Sequence, residues 1–201
     1  VTITGNSIAT GIGGQSFTLS GYGSGTDASA TAYADNLAVT AAVGTTAGNY
    51  NISYNHGGLT INKANAYVII DSGQASTYGS TPTINYSFYS NAAGTGGSAI
   101  TAATTGSAVI TNAPSASSDA ATYSLKYASG LSSTNYAFNP ATSNVDYVVN
   151  PATLVVTGAN NITTYSGSPQ TNSGAIATVN GSAVTITGNS IATGIGGQSF
   201  T

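Results

Sequence analysis

Residues 1–18 read VTITGNSIATGIGGQSFT, and residues 184–201 read the same eighteen letters. Chance does not produce an identity of that length, so the chain holds one period of 183 residues and an overlap into the next copy. A perfect long repeat is the signature of a tandem array, in which each unit buries apolar surface against its neighbours. In a longer chain, Thr201 is therefore expected to be followed by residues close to Leu19 onward.

A second, diverged repeat lies inside the period. AYVIIDSGQASTYGSTP at 66–82 aligns with TLVVTGANNITTYSGSP at 153–169, an offset of 87 residues that pairs Tyr78 with Tyr165 and Pro82 with Pro169. GNYNISYNHGGLTINKA at 48–64 aligns with TNYAFNPATSNVDYVVNPA at 134–152, which pairs Tyr50 with Tyr136. The organisation expected is the C-terminal part of one β module at 1–64, a complete module at 65–151, and the N-terminal part of the next at 152–201. The cut halves of such a module expose strand edges that seek partners. Head-to-tail contacts that do not close into a ring give open filaments.

Composition narrows the fold and the function. Only seven residues carry a formal charge, Asp27, Asp35, Asp71, Asp119, Asp146, Lys63 and Lys126, and Cys and Met are absent. Val, Ile, Thr and Tyr recur, while the strong helix formers are scarce, so the chain reads as ordered β structure. Two lysines cannot neutralise a nucleic-acid backbone, which excludes DNA and RNA as partners. No apolar run approaches the ~20 residues that span a bilayer as a helix. Without cysteine there are no disulfides and no thiol chemistry.

Strands are expected at Asn49–Tyr54, Leu59–Asn62, Tyr67–Asp71, Thr83–Tyr89, Ala108–Thr111, Thr122–Tyr127, Asp146–Val149 and Thr153–Thr157. Ala175–Val179 and Ser182–Thr187 flank Asn180-Gly181, the favoured dipeptide of a type I′ hairpin. Lys63-Ala64-Asn65 and Asn150-Pro151 read as short linkers, and the stretches at 91–98 and 112–120 as loops. Helix signals are weak, confined to Ala30–Leu37 and Ser98–Ala108. Many short strands with turn signals between them imply small β-sandwich, Ig-like modules in a linear array, with a β-grasp-like module as the alternative.

The turn Thr77-Tyr78-Gly79-Ser80-Thr81-Pro82, its counterpart Thr164-Tyr165-Ser166-Gly167-Ser168-Pro169, and the ending from Gly48-Asn49-Tyr50-Asn51-Ile52 through Gly58-Leu59-Thr60-Ile61-Asn62-Lys63-Ala64 resemble the MBG and YDG-type repeat modules of large bacterial surface proteins. The resemblance implies filamentous-haemagglutinin-like adhesins whose arrays hold a binding tip away from the cell. It also implies an extracellular or cell-surface location, a structural role and no catalytic residues. Tyr78, Gly79, Pro82, Tyr165, Pro169, Tyr50 and Tyr136 are its module-motif residues.

Residues that could carry chemistry are few. His56, the only histidine, sits in Tyr54-Asn55-His56-Gly57-Gly58 and reads as a polar turn residue; a catalytic triad would need an acid and a nucleophile around it. Calcium needs 6–8 converging oxygens; the aspartates never cluster as DxDxD, and the pair that convergence in space would bring together is Asp27 and Asp35, with carbonyls assisting. Lys63 and Lys126, the latter near Asp119, are the candidates for a Lys–Asn crosslink. Gly11-Ile12-Gly13-Gly14 and Gly21-Tyr22-Gly23-Ser24-Gly25 lack the lysine of a phosphate loop and read as turns. The recurring tyrosines 50, 67, 78, 123, 136 and 165 are expected in core or corner packing with their hydroxyls bonded. Asn51, Asn85, Asn161 and Asn180 begin N-glycosylation sequons.

The expectation is thus a non-enzymatic structural repeat without cofactor or metal, partnered by neighbouring copies of itself head to tail and by lateral bundling. The alternative is a β module that binds carbohydrate or a surface through its Thr-rich strands, with host or surface glycans as partners.

Overall fold

The structure, a computed structural model, describes residues 1–95 and 97–201. Gly96, inside the expected loop at 91–98, lies outside the described residues. Among the described residues there is no α-helix, and the one helical turn is a 3-10 turn at Ala47–Asn49. The weak helix signals resolve as strands: Tyr33–Ala34 lies within the first, and Thr105–Thr111 begins within the second. Both segments are rich in Thr, Ser and Gly, which lose too much freedom or compete with helical hydrogen bonds.

The chain forms two compact units. One comprises Val1–Ala66, Ala102–Gly106 and Leu131–Phe138; the other comprises Tyr67–Thr101, Ser107–Gly130 and Asn139–Thr201.

The first unit is built on a four-stranded sheet ordered Thr2–Thr4, Ser7–Ala9, Ser16–Ser20, Ala38–Ala41. Every pair in it is antiparallel. Phe17 is its buried aromatic. Sequence alternation suggested a strand at Asn49–Tyr54, but residues 51–57 are irregular, and only Gly58–Leu59 forms a strand, against Tyr33–Ala34. Side chains take the place of a ladder here. The Val39 N–H donates to Tyr54 Oη at 3.2 Å and the Leu37 N–H to His56 Nδ1 at 3.3 Å. One N–H of the sheet's edge strand, and one just before that strand, are thus met by side chains, which helps to keep an exposed edge from pairing with another chain.

The second unit carries the main core. A four-stranded sheet runs Thr105–Thr111, Thr122–Ser132, Val145–Asn150, Ala75–Thr77, the last pair being parallel. A three-stranded sheet is ordered Tyr136–Pro140, Ala64–Ile70, Tyr86–Tyr89. Alternate residues point inward, as the strand period of two requires: Val68 and Ile70 on one strand, Leu125 and Tyr127 on another, Tyr147 and Val149 on a third. Ile70 from the three-stranded sheet meets Leu125, Tyr147 and Val149 from the four-stranded one in a single cluster. Two sheets sharing one apolar core is the way a β-sandwich buries its inner faces. Lys63-Ala64-Asn65, expected as a linker, instead runs into the strand Ala64–Ile70, with the Ala64 N–H donating to Asn135 O at 2.9 Å.

Two further small sheets follow: Leu154–Gly158, Ala175–Val179, Ser182–Val184, then Ile186–Thr187, Ser190–Ala192, Ser199–Phe200. Val179 pairs with Ser182 across Asn180-Gly181, where φ is 50° and 81°. Positive φ at both central residues is what a type I′ turn demands. Asn180 Oδ1 also accepts the Thr153 N–H at 2.9 Å. Gly181→Val forces a β-branched residue into the left-handed region and is expected to cost about 1–3 kcal/mol. Loss of amide protection across 175–184 in hydrogen exchange would report it, and unchanged protection would refute this account of the turn.

Candidate functional site

Asp27, Asp35, His56 and Lys63 are engaged in contacts that hold loops. Asp35 accepts the Gly23 N–H through Oδ1 at 2.7 Å and the Gly57 N–H through Oδ2 at 3.1 Å. Asp27 Oδ1 accepts Asn135 Nδ2 at 2.8 Å, and Asn135 Oδ1 accepts the Ala28 N–H at 2.7 Å. Among the described residues, no three His, Cys, Asp or Glu side chains gather into a group that could hold a metal. His56 stacks beside the Tyr54 ring, centroids 6.1 Å apart, while its Nδ1 serves the Leu37 N–H. Lys63 Nζ donates to Ser133 O at 2.6 Å and Lys126 Nζ to Thr142 O at 3.4 Å. Each ammonium group donates to a backbone carbonyl.

Of the two glycine-rich segments, 11–14 forms a turn, while 21–25 is irregular and not the turn expected. Gly21 lies so close to Asn36 that a Cβ there would sit 1.8 Å from its carbonyl oxygen. Of the sequon asparagines, Asn180 has both ends of its amide engaged, with Nδ2 donating to Tyr78 O at 3.3 Å. All four sequon residues are exposed.

The motif tyrosines divide. Tyr78 and Tyr123 pack against the main core, and the Tyr123 hydroxyl donates to Asp119 O at 2.8 Å. Tyr67 and Tyr136 are half-buried on their strands. Thr77-Tyr78-Gly79-Ser80 closes with Ser80 N–H to Thr77 O at 2.9 Å and φ of 92° at Gly79, the third-position glycine of a type II turn. Tyr165, its counterpart 87 residues on, is 92% exposed. Pro82 is half-buried and Pro169 exposed. The most buried tyrosines, Tyr147 and Tyr127, were not singled out by the repeat; their alternation with Val149 and Leu125 was the available signal.

The repeated eighteen residues form the feature that sets this chain apart. Both copies fold into the same triple-stranded hairpin. Ile3 pairs with Ile8 and Ile8 with Phe17; Ile186 pairs with Ile191 and Ile191 with Phe200. In each loop a threonine N–H donates to a glutamine carbonyl at 3.0 Å, Thr10 to Gln15 and Thr193 to Gln198. Gly11, Gly13 and Gly14 have φ of 75°, 55° and 68°, and Gly194, Gly196 and Gly197 have 73°, 56° and 71°. The conformation is therefore local, since one sequence reaches it in two surroundings.

Those surroundings are complementary. In the first copy the Phe17 ring meets Tyr50 edge to face, centroids 5.1 Å apart at 89°. The Tyr50 hydroxyl donates to Gln15 Oε1 at 2.8 Å and lies 3.2 Å from Thr10 Oγ1. In the second copy Phe200 is 53% exposed, against 6% for Phe17. The other side of the loop shows the reverse: Ile195 packs over the Tyr78-Gly79 turn, where a Cβ on Gly79 would fall 2.6 Å from Ile195 Cδ1. Ile12, its twin, is 64% exposed.

No family model, curated protein or solved structure matches this chain. Among the described residues, no helix is long and apolar enough to cross a membrane.

Proposed function

We propose that this chain is an extracellular structural repeat, the stalk or filament of a large microbial surface adhesin or fibre, whose copies are assembled head to tail as tandem Ig-like β modules. The observation that carries the reading is the repeated hairpin, which adopts one shape in two settings and presents in each an apolar side that the other setting covers. A unit of that kind gives length by addition, as in other linear arrays where each repeat contacts its neighbours. The low charge supports the same reading, because it weakens repulsion between copies lying side by side. In this reading function rests on reach and stiffness rather than turnover, which agrees with the use of Asp27, Asp35, His56 and Lys63 in loop contacts.

Denaturing electrophoresis with intact mass on native material tests it. A single species far larger than 19.6 kDa is the expected result for a covalent array. A species near 19.6 kDa that forms filaments keeps the structural role and moves assembly to noncovalent contacts. A small monomer that never assembles overturns the reading. The carbohydrate-binding alternative draws support from Tyr165, an aromatic ring 92% exposed. Glycan-array binding that is lost in Tyr165→Ala would favour it.

A further inference from the structure

The second copy of the hairpin borders an open groove of about 240 Å³ whose walls include Thr193, Ile195, Gln198, Phe200, Leu154 and Tyr78. Three of these residues are the twins of the three that hold Tyr50 in the first copy. Thr193 corresponds to Thr10, Gln198 to Gln15 and Phe200 to Phe17, all at an offset of 183. In the first copy that constellation is occupied: the Tyr50 ring lies edge to face on Phe17 and its hydroxyl reaches Gln15 Oε1. In the second, the phenylalanine is half exposed and borders an open groove with the threonine and the glutamine.

We infer that this groove is a seat for the Tyr50 side chain of the next repeat, brought in by a segment equivalent to residues 19–64 that follows Thr201 in the array; within one chain Tyr50 already stands on its own Phe17. The inference rests on the head-to-tail reading above and adds its contact residues. Three observations carry it. The hairpin backbone is the same in both places, so the geometry that receives Tyr50 at Phe17 is already built at Phe200. The Tyr78-Gly79 turn approaches the loop through Ile195 and Gly196, whereas Tyr50 approaches through the threonine, glutamine and phenylalanine. Tyr78 thus forms one wall of the groove, with Ile195 packed over its turn. Thirdly, the neighbouring strand Leu154–Gly158 is short of cover too. Val155 is 49% exposed, while Val68, its counterpart 87 residues earlier, is fully buried. Residues 152–201 therefore carry an apolar face that the 19–64 segment of another copy would close. In an assembled array each hairpin is a joint, gripped by a Tyr78 turn on its isoleucine side and by a Tyr50 ring on its phenylalanine side.

The test extends the full chain beyond Thr201 with a second copy of residues 19–64 and follows hydrogen exchange by mass spectrometry. Amides of 190–200 are expected to exchange about tenfold or more slowly in the extended chain than in the 201-residue chain. Amides of 7–17 are an internal standard and stay constant. Changing the appended copy's Tyr50 to Ala should return 190–200 to the unextended rate, and Tyr50→Phe should give an intermediate rate. Gln198→Leu supplies an independent check, since it should leave the unextended chain unchanged and remove protection only in the extended one. Unchanged exchange at 190–200 on extension, or protection that survives both Tyr50→Ala and Gln198→Leu, overturns the seat. A giant native species together with unprotected 190–200 would sink the seat and leave the array standing, so the two failures are distinguishable.

Discussion

Leu125→Ala is expected to destabilise the second unit by about 2–5 kcal/mol, the range for removing a fully buried leucine from a core that relaxes only in part. Leu125 has no exposed surface and packs with Ile70, Tyr147 and Val149, residues contributed by both sheets. Its strand is held in register by pairing with Val145, so the strand cannot slide to fill the void without turning its inward residues outward. A whole domain is stable by only about 5–15 kcal/mol, so the loss is a large share of the total. Urea unfolding should show a lower midpoint at an unchanged slope. Val155→Ala is the matched control: half exposed, it is expected to change stability by no more than about 0.5 kcal/mol. Equal effects from the two substitutions would mean that Leu125 does not lie in the principal core.

The second large effect is expected at Tyr50. Tyr50→Ala removes the edge-to-face contact with Phe17 and the hydrogen bond to Gln15 Oε1 together. An aromatic pair contributes about 0.5–1.5 kcal/mol beyond its burial, and a hydrogen bond about 1 kcal/mol net. With the lost burial of the ring, the first unit should weaken by about 2–4 kcal/mol. Tyr50→Phe keeps the ring and loses only the hydroxyl, so about 1 kcal/mol is expected. Hydrogen exchange localised to residues 7–41 separates this from global unfolding. If Tyr50→Phe costs as much as Tyr50→Ala, the hydroxyl and its glutamine partner hold the hairpin, and the ring contact does not.

The β character of the chain was legible because it follows from local preferences summed over many residues. Ala175–Val179 is a strand with the bounds that alternation suggested, and the Asn180-Gly181 turn follows from the rarity of residues that accept positive φ. Asn49–Tyr54 shows where that reasoning fails. Its residue pattern suits a strand, but Tyr50 bonds through its hydroxyl to Gln15 and Tyr54 through its hydroxyl to the Val39 N–H, and the segment's own backbone forms no ladder. Periodicity reports which side chains alternate; it is blind to whether a neighbouring edge will be met by backbone or by side chain. The aspartates and lysines follow the same logic, because only the folded chain shows which loop N–H or carbonyl each one serves.

By itself the sequence determined the 183-residue period, the local shape of the repeated hairpin and the all-β class, since each depends on residues close together along the chain. Tertiary structure alone decided which face of that hairpin is covered in each copy and which tyrosines are buried. Tyr78 and Tyr165 share a motif, yet one lies against the core and the other stands in solvent. Burial depends on which distant strands arrive to pack, and identical local sequences cannot encode a difference in their neighbours.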